Sequence, residues 1–359
     1  MSTVVRILLL ADTHLGFDLP VRPRVRRRRR GQDFLDNYHR ALGPALRGEV
    51  DLVVHGGDVF NRSRPHSTVA YQAFEPLTRV ADRGVPVFVV PGNHERGRLP
   101  HLRFARHPGV HVFDEPRTFR VEVRGVSVAL SGFPSERDEV RARFGDLTER
   151  TGWREREAGL RLLCLHQCVE GATVGPADYT FTTAADVIRG RDLPRGFHAV
   201  LAGHIHRHQV LHADPRGRSL AAPVLYPGSI ERTSIAEASE TKGFMIVTAT
   251  VSDRGVGLRW SFEALPARPL LVRELSLGDK SATALRAELA ATIDSVPSDA
   301  VLTIRVSGDW TDAARRALAS GRLRELAPET MNVELRLPGS ERRPRAARSA
   351  GPAPLELPL

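Results

Sequence analysis

The chain has 359 residues, 41% of them hydrophobic and 26% charged, the proportions of a globular protein with a sizeable buried core. No apolar run approaches the length of a membrane span, and the apolar start at Val4–Ala11 runs straight into Asp12-Thr13-His14 with no small-residue cleavage site, so a first strand is expected there rather than a leader. The net charge of +10 is local: seven arginines (Arg22, Arg24 and Arg26 to Arg30) and the Arg-rich end beyond Glu341 supply nearly all of it, so a basic binding surface rests on one loop. Two cysteines, Cys164 and Cys168, exclude a disulfide framework, flank His166 too closely for a separate zinc site, and point to a cytoplasmic protein.

In chain order, strand and helix signals alternate: strand Val5–Leu10, helix Asp33–Leu46 interrupted at Gly43-Pro44, strand Asp51–Val54, helix Ser67–Ala81, strand Val87–Val90. That alternation argues for βαβ units and a parallel sheet. Arg124-Gly125 joins Phe119–Val123 to Val126–Leu130 as a hairpin, and Leu160–Leu165 and Ala199–Ala202 are further short strands. After Gly203 the pattern is mainly β, at 209–212, 219–225, 243–251 and 257–262, which predicts a core of two sheets with helices outside. A Pro-punctuated linker at 263–269 leads to strand Leu271–Leu275, helix Ala282–Ile293, strand Val301–Val306, helix Thr311–Leu323 and strand Asn332–Leu337, a small α+β unit. The Pro-, Arg- and Ala-rich stretch 338–359 is expected to be disordered.

Chemistry-bearing residues cluster just past the strands. Pro91-Gly92 stops one strand and leaves Asn93 and His94 on a loop at its carboxyl end, where ligands bind in open α/β sheets. Asp12 and His14, Asp58 after Gly57, His166, and His204 with His206 after Gly203 occupy matching places. Residues two apart in extended backbone point to one side, so Asp12 can share a site with His14, and His204 with His206. A lone Asp-x-His is more often an ordinary surface or core pair than a metal site, but five such segments, each at a strand end, are not. Two carboxylates, one amide oxygen and four imidazoles without a thiolate suit manganese, iron or zinc. Seven donors are too many for one four-coordinate ion and enough for two, with Asp58 able to bridge them. His55, His198, His208 and His212 lie near these segments and receive no role.

The order Asp-x-His, Gly-Asp, Gly-Asn-His-Glu, His, Gly-His-x-His resembles the calcineurin-like metallophosphoesterases over roughly the first 260 residues. Asp12-Thr13-His14-Leu15-Gly16, Gly57 to Pro65 and Tyr226 to Thr233 more closely resemble the Mre11/SbcD DNA-repair nucleases. The resemblance implies an α/β, two-sheet, four-layer α-β-β-α core over 1–265 and a small α+β capping domain at 270–337. It implies two divalent ions, manganese by preference, held by Asp12, His14, Asp58, Asn93, His166, His204 and His206. His94 would position the scissile phosphate or protonate the leaving oxygen. The implied activity is metal-dependent exo- or endonucleolytic hydrolysis of DNA in repair or recombination. A small-molecule phosphodiesterase or phosphatase of the same fold is the alternative, and a non-catalytic scaffold would be free to lose ligands, none of which is missing. DNA is the implied substrate and a Rad50/SbcC-type ATPase the implied partner, although helices that would dock on it are not evident in the Pro/Arg tail; a homodimer is left open. The arginines Arg22, Arg24, Arg26, Arg27, Arg28, Arg29 and Arg30 follow the first ligand loop and are expected either to track DNA phosphates toward the metals or to form a solvated insertion.

Overall fold

A computed structural model describes residues 2–23, 27–101, 106–319, 323 and 325–337. The first strand, Ser2–Leu10, lies inside a six-stranded sheet. It runs parallel to Leu52–His55, which in turn pairs with Val87–Val89 and then Val110–Val112; on its other side come the antiparallel strands Gly243–Ser252 and Gly255–Ala264. A second six-stranded sheet has a parallel centre of Val126–Gly132, Leu160–His166, Ala199–Gly203 and Ser219–Tyr226, edged by the antiparallel Arg117–Val123 and Gln209–Ala213.

The strand period of two explains how these sheets stack. Ile7 and Leu9 join Leu162, Cys164 and Leu201 in a core between the sheets. Leu8 and Leu10 point the other way, into a cluster with Phe34 and Tyr38 of helix Arg30–Ala41 and Phe74 of helix Ser67–Asp82. On the second sheet Leu163 and Leu165 turn outward to meet Phe144 and Leu147 of helix Val140–Arg150. Three apolar cores therefore separate four layers, helix, sheet, sheet and helix, as expected from the sequence. Continuous apolar runs suit such strands because both faces are buried. The interruption at Gly43-Pro44 is real: one helix ends at Ala41 and a short one, Gly43–Leu46, starts with its proline at the first turn.

Some elements escaped sequence reasoning. Strand Val110–Val112 is only three residues long. Helix Val140–Arg150 buries Val140, Phe144 and Leu147, an i, i+4, i+7 pattern that was readable but diluted by charged neighbours. Among the described residues, no helix is long and apolar enough to cross a membrane.

The chain divides into two compact units, one holding Arg29–Ala267 with the N-terminal residues, the other running on from Arg268 and taking in Arg27 and Arg28. The second has a parallel sheet of Leu270–Ser276, Val301–Ser307 and Asn332–Arg336 with helices Ala282–Asp294 and Asp312–Ala317. Ser281 and Thr311 cap these helices by accepting the backbone N–H of Ala284 and Ala314. Its own core gathers Leu275, Leu285, Leu289, Leu302 and Ile304. Arg27 belongs to this unit, its guanidinium donating to the carbonyls of Ala327 and Met331. Arg24, Arg26 and the stretch 338–359 lie outside the described residues.

Candidate metal centre

All seven residues proposed as metal donors come together where the two sheets meet at the carboxyl ends of their parallel strands. Two glycines permit that meeting. A Cβ on Gly203 would stand 2.2 Å from the Gly56 carbonyl oxygen, so any larger residue would wedge the strand ends apart. The loops then interlock: Asp12 N–H donates to Gly57 O, His14 N–H to Asp58 O and Leu15 N–H to Val59 O, at 2.8 to 3.0 Å.

Asp12 (φ 51°), His14 (φ 43°), Asp58 (φ 50°) and His204 (φ 85°) all lie in the left-handed region of backbone space. The extended-backbone rule therefore does not explain why Asp12 and His14 converge. Their facing comes from left-handed turns, a conformation costing roughly 1–2 kcal/mol per ordinary residue and most accessible to Asp, Asn and His. Strain of this kind gathers where surrounding structure over-determines a site.

His14 Nε2 stands 2.9 Å from His206 Nε2, and Asp12 Oδ1 lies 3.9 Å from the latter. On the other side Asn93 Oδ1 is 2.9 Å from His166 Nε2 and 2.8 Å from His204 Nδ1. Asp58 lies between: its Oδ2 is 3.9 Å from His14 Nε2 and its Oδ1 is 3.4 Å from His166 Nε2. Two donors each about 2.1 Å from one ion stand between about 3 Å (adjacent) and about 4.2 Å (opposite) apart, a range that takes in all these spacings. Among the described residues His14 Nδ1 is buried without a hydrogen-bond partner, which leaves Nε2, aimed into the centre, as its one useful atom. The donor set therefore fits divalent cations.

The electrostatics agree. Burial raises the Asp12 carboxyl, although His166 and His206 pull it back. Burial would raise Asp58 too, but His166, His14 and His94 hold it well below the usual carboxylate range. Burial pushes His204 down to about 3, with His166 adding to the effect, and His14 is lowered for the same reason with His206 behind it. His166 goes the other way: burial is overruled by the Asp58 carboxylate and then by Asp12. Burial thus leaves His14 and His204 neutral, as cation binding requires, while the carboxylates outweigh burial at His166 and, through Glu237 and Asp12, at His206, favouring a proton there that a bound cation would displace.

His94 is placed differently from the donors. Its Nδ1–H donates to Asn61 O at 2.9 Å, its Nε2 lies 3.8 Å from Asp58 Oδ2, and its side chain is 38% exposed. Its backbone N–H also donates to Asp58 Oδ1 at 2.9 Å, tying the two loops together.

Several supporting residues were missed by sequence reasoning. Glu95, nearly buried, accepts the N–H of Phe60 and of Gly92, each at 2.7 Å, and so joins the Asp58 loop to the Asn93 loop. Its place in Gly-Asn-His-Glu was the available signal. His55, to which no role was given, is fully buried; it accepts Gly57 N–H at Nδ1, and its Nε2–H reaches Thr13 Oγ1, which donates on to Val59 O. Burial keeps it neutral by lowering its pKa to about 3. Arg137 holds the Asn93 carbonyl at 2.9 Å.

The arginine run does not act as a unit. Arg30 is paired with Glu231 and Asp33 and donates to Arg232 O, while Arg29 faces Asp18 at 3.5 Å. Arg29, with Arg62, Arg64 and His66, lines a groove of about 520 Å³ that starts at Leu15 and Gly16, directly after His14. Arg62 and Arg64 are exposed and had been read only as part of a family motif.

Carboxylate and imidazole donors drawn from the ends of two facing sheets are the mark of metallophosphoesterases as a class. The chain belongs to the calcineurin-like phosphoesterases: the family's model matches residues 5–208, from the first strand to just beyond His206. Within that family it is similar to the DNA double-strand break repair protein Mre11 of Thermoplasma acidophilum, 27% identical over 241 residues covering 66% of this chain and 58% of that protein. It is also similar to Mre11 of Methanosarcina mazei, 27% identical over 319 residues (86% and 46%), and to the SbcD component of the SbcCD nuclease of Bacillus subtilis, 27% identical over 271 residues (68% and 66%). The chain thus spans about half to two thirds of the length of these relatives.

Proposed function

We propose that this protein is a DNA nuclease that hydrolyses phosphodiester bonds with two divalent ions, manganese by preference, in repair or recombination. The observation that carries the two-ion reading is Asp58, whose two carboxylate oxygens face two different donor groups. Asp12, His14 and His206 would hold one ion, Asn93, His166 and His204 the other, with Asp58 shared. Such a pair supplies Lewis acidity toward phosphoryl oxygens and a nucleophile from water at neutral pH. Oxygen and imidazole donors without thiolate suit manganese, iron or zinc, and manganese is the one the resemblance to the Mre11/SbcD nucleases implies.

His94 has the protein's own catalytic task. The Asn61 carbonyl takes its Nδ1–H, so Nε2 is the atom that meets substrate. From there it delivers a proton to the departing oxygen of the sugar. This ring is more exposed than the donor His206, 38% against 25%, which lets a phosphodiester approach it.

DNA rather than a small diester is favoured by the groove at the rim of the centre. Arg29, Arg62 and Arg64 offer planar donor forks for phosphate oxygens, and Arg22 lies on the same segment. Arg27 and Arg30, with protein carbonyls as partners, contribute less. The relatives named as Mre11 and as a component of SbcCD support both a DNA substrate and an ATPase partner of the Rad50/SbcC type. The deciding experiment is cleavage of end-labelled duplex DNA against a mononucleotide diester across several divalent metals. Manganese-dependent cleavage confined to the mononucleotide would establish the small-molecule alternative instead.

Replacing Arg62 and Arg64 together by serine is expected to weaken duplex binding. The slope of log K against log salt should flatten by up to about 1.8, since each neutralised duplex phosphate contributes about 0.9. Turnover of a small activated diester should stay near wild type, because neither residue supplies a donor to the centre. An unchanged salt slope would remove the groove from the DNA path.

A further inference from the structure

His206 differs from the other donor histidines at its far nitrogen. His166 Nδ1 meets a backbone carbonyl, Gly56 O, at 2.8 Å, and among the described residues His14 Nδ1 has no partner. His206 Nδ1 lies 3.2 Å from Glu237 Oε1 and 3.3 Å from Thr233 Oγ1. Among the described residues it is the one donor imidazole whose far side meets a carboxylate.

The donors around that carboxylate can be named one by one, beginning with the Ser234 hydroxyl, 3.4 Å from Glu237 Oε1. Thr233 Oγ1–H donates to Glu237 Oε1 at 2.6 Å, which commits the hydroxyl proton. Both oxygens near His206 Nδ1 therefore present lone pairs to it, and only an Nδ1–H can satisfy them. Glu237 Oε2 accepts the Thr233 backbone N–H and lies 2.7 Å from Lys242 Nζ. Lys242 is buried to 1% exposure and divides its remaining donors between His206 O at 2.8 Å and Glu240 Oε2 at 2.7 Å. One buried ammonium thus grips the backbone of His206 and the carboxylate that orients its ring.

We propose that Glu237, anchored by Lys242, is the positioning residue of His206. It accepts the Nδ1–H, holds the imidazole in the tautomer whose Nε2 lone pair faces Asp12 and His14, and so sets the affinity of the ion on that side. The proposal rests on the two-ion reading of the centre. A carboxylate behind a ligating histidine raises its basicity and fixes its rotation, and loss of such a partner typically weakens metal binding about 10–100-fold. Among the described residues no carboxylate stands behind the far nitrogen of His204 or His166, so the effect falls on one ion.

The test is manganese binding to the full chain by calorimetry, with no activity measurement involved. Glu237→Leu is expected to weaken one ion by about 10–100-fold and leave the other unchanged, while Glu237→Gln, whose amide oxygen can still accept the Nδ1–H, recovers part of the loss. In a His206→Ala background Glu237→Leu should add nothing, because its route to the metal is gone. A purely structural glutamate would weaken binding in both backgrounds, and that outcome overturns the proposal, as does wild-type affinity in Glu237→Leu. Should Glu237→Leu fail to fold, imidazole spectra of zinc-loaded wild type and Glu237→Gln decide: a His206 Nδ1–H proton shifted downfield in wild type and moved upfield in Glu237→Gln supports the proposal, and an identical shift in both defeats it. Wild-type protein that takes up only one ion would defeat the two-ion reading itself, and is told apart by stoichiometry before any variant is made.

Discussion

Asp58→Asn is expected to abolish stoichiometric binding of both ions and to lower hydrolysis of any phosphodiester by roughly a thousandfold or more. Asparagine keeps the size and the left-handed backbone that the residue at φ 50° needs, so the fold should persist. What it removes is the negative charge common to both donor groups, at 3.4 Å from His166 Nε2 and 3.9 Å from His14 Nε2. Asp58 is also the group that holds the His166 imidazole up against its burial. The comparison is Asn93→Ala, which touches only the second group, next to His166 and His204, and should release one ion while the other remains. Metal analysis of dialysed protein distinguishes the two results. Two ions retained by Asp58→Asn would end its assignment as the shared ligand.

The donors were legible in the sequence because their chemistry is carried by residue type and by place: Asp, Asn and His just past apolar runs, three of which end in glycine. Their convergence was legible too, but for a different reason from the one that operates. A two-residue spacing suggested side chains on one face of a strand, whereas Asp12, His14 and His204 are steered by left-handed turns that no periodicity reveals. The four-layer core followed from strand alternation, since Leu8 and Leu10 must face away from Ile7 and Leu9.

What escaped was whatever depends on contacts between segments far apart in the chain. His55 looked like a neutral bystander and proves to brace Thr13, 42 positions away. Glu237 and Lys242 carry no motif that marks them as partners of His206, because their relation to it exists only once the 206–242 segment has folded back on itself. The arginine run shows the converse. Seven arginines between Arg22 and Arg30 suggested one function, yet Arg27 and Arg30 make hydrogen bonds to protein carbonyls, and the groove beside the centre takes Arg29 together with Arg62 and Arg64 from another loop. Charge density is visible in a sequence; what each charge is paired with is not.

His94→Gln is expected to retain both ions and to lose about a hundredfold or more in cleavage of unactivated DNA phosphodiesters, the usual contribution of a general acid. The residue sits beside the donors without matching them. Its side chain is 38% exposed where Asp58 is at 3%, and its Nε2 is 3.8 Å from Asp58 Oδ2. Its Nδ1–H is committed to Asn61 O at 2.9 Å, so the ring is oriented by the protein and Nε2 is kept for the substrate. The DNA leaving group is an alkoxide, which needs a proton as the bond to phosphorus breaks. The nitrophenolate of bis-p-nitrophenyl phosphate does not. The variant should therefore hydrolyse that activated diester at close to the wild-type rate while its DNA cleavage collapses. A residue that merely shaped the loop, or one that bound an ion, would depress both substrates together. Equal losses on the activated and unactivated diesters, with two ions still bound, would remove His94 from proton transfer and leave it as a clamp between the Asn61 and Asp58 loops.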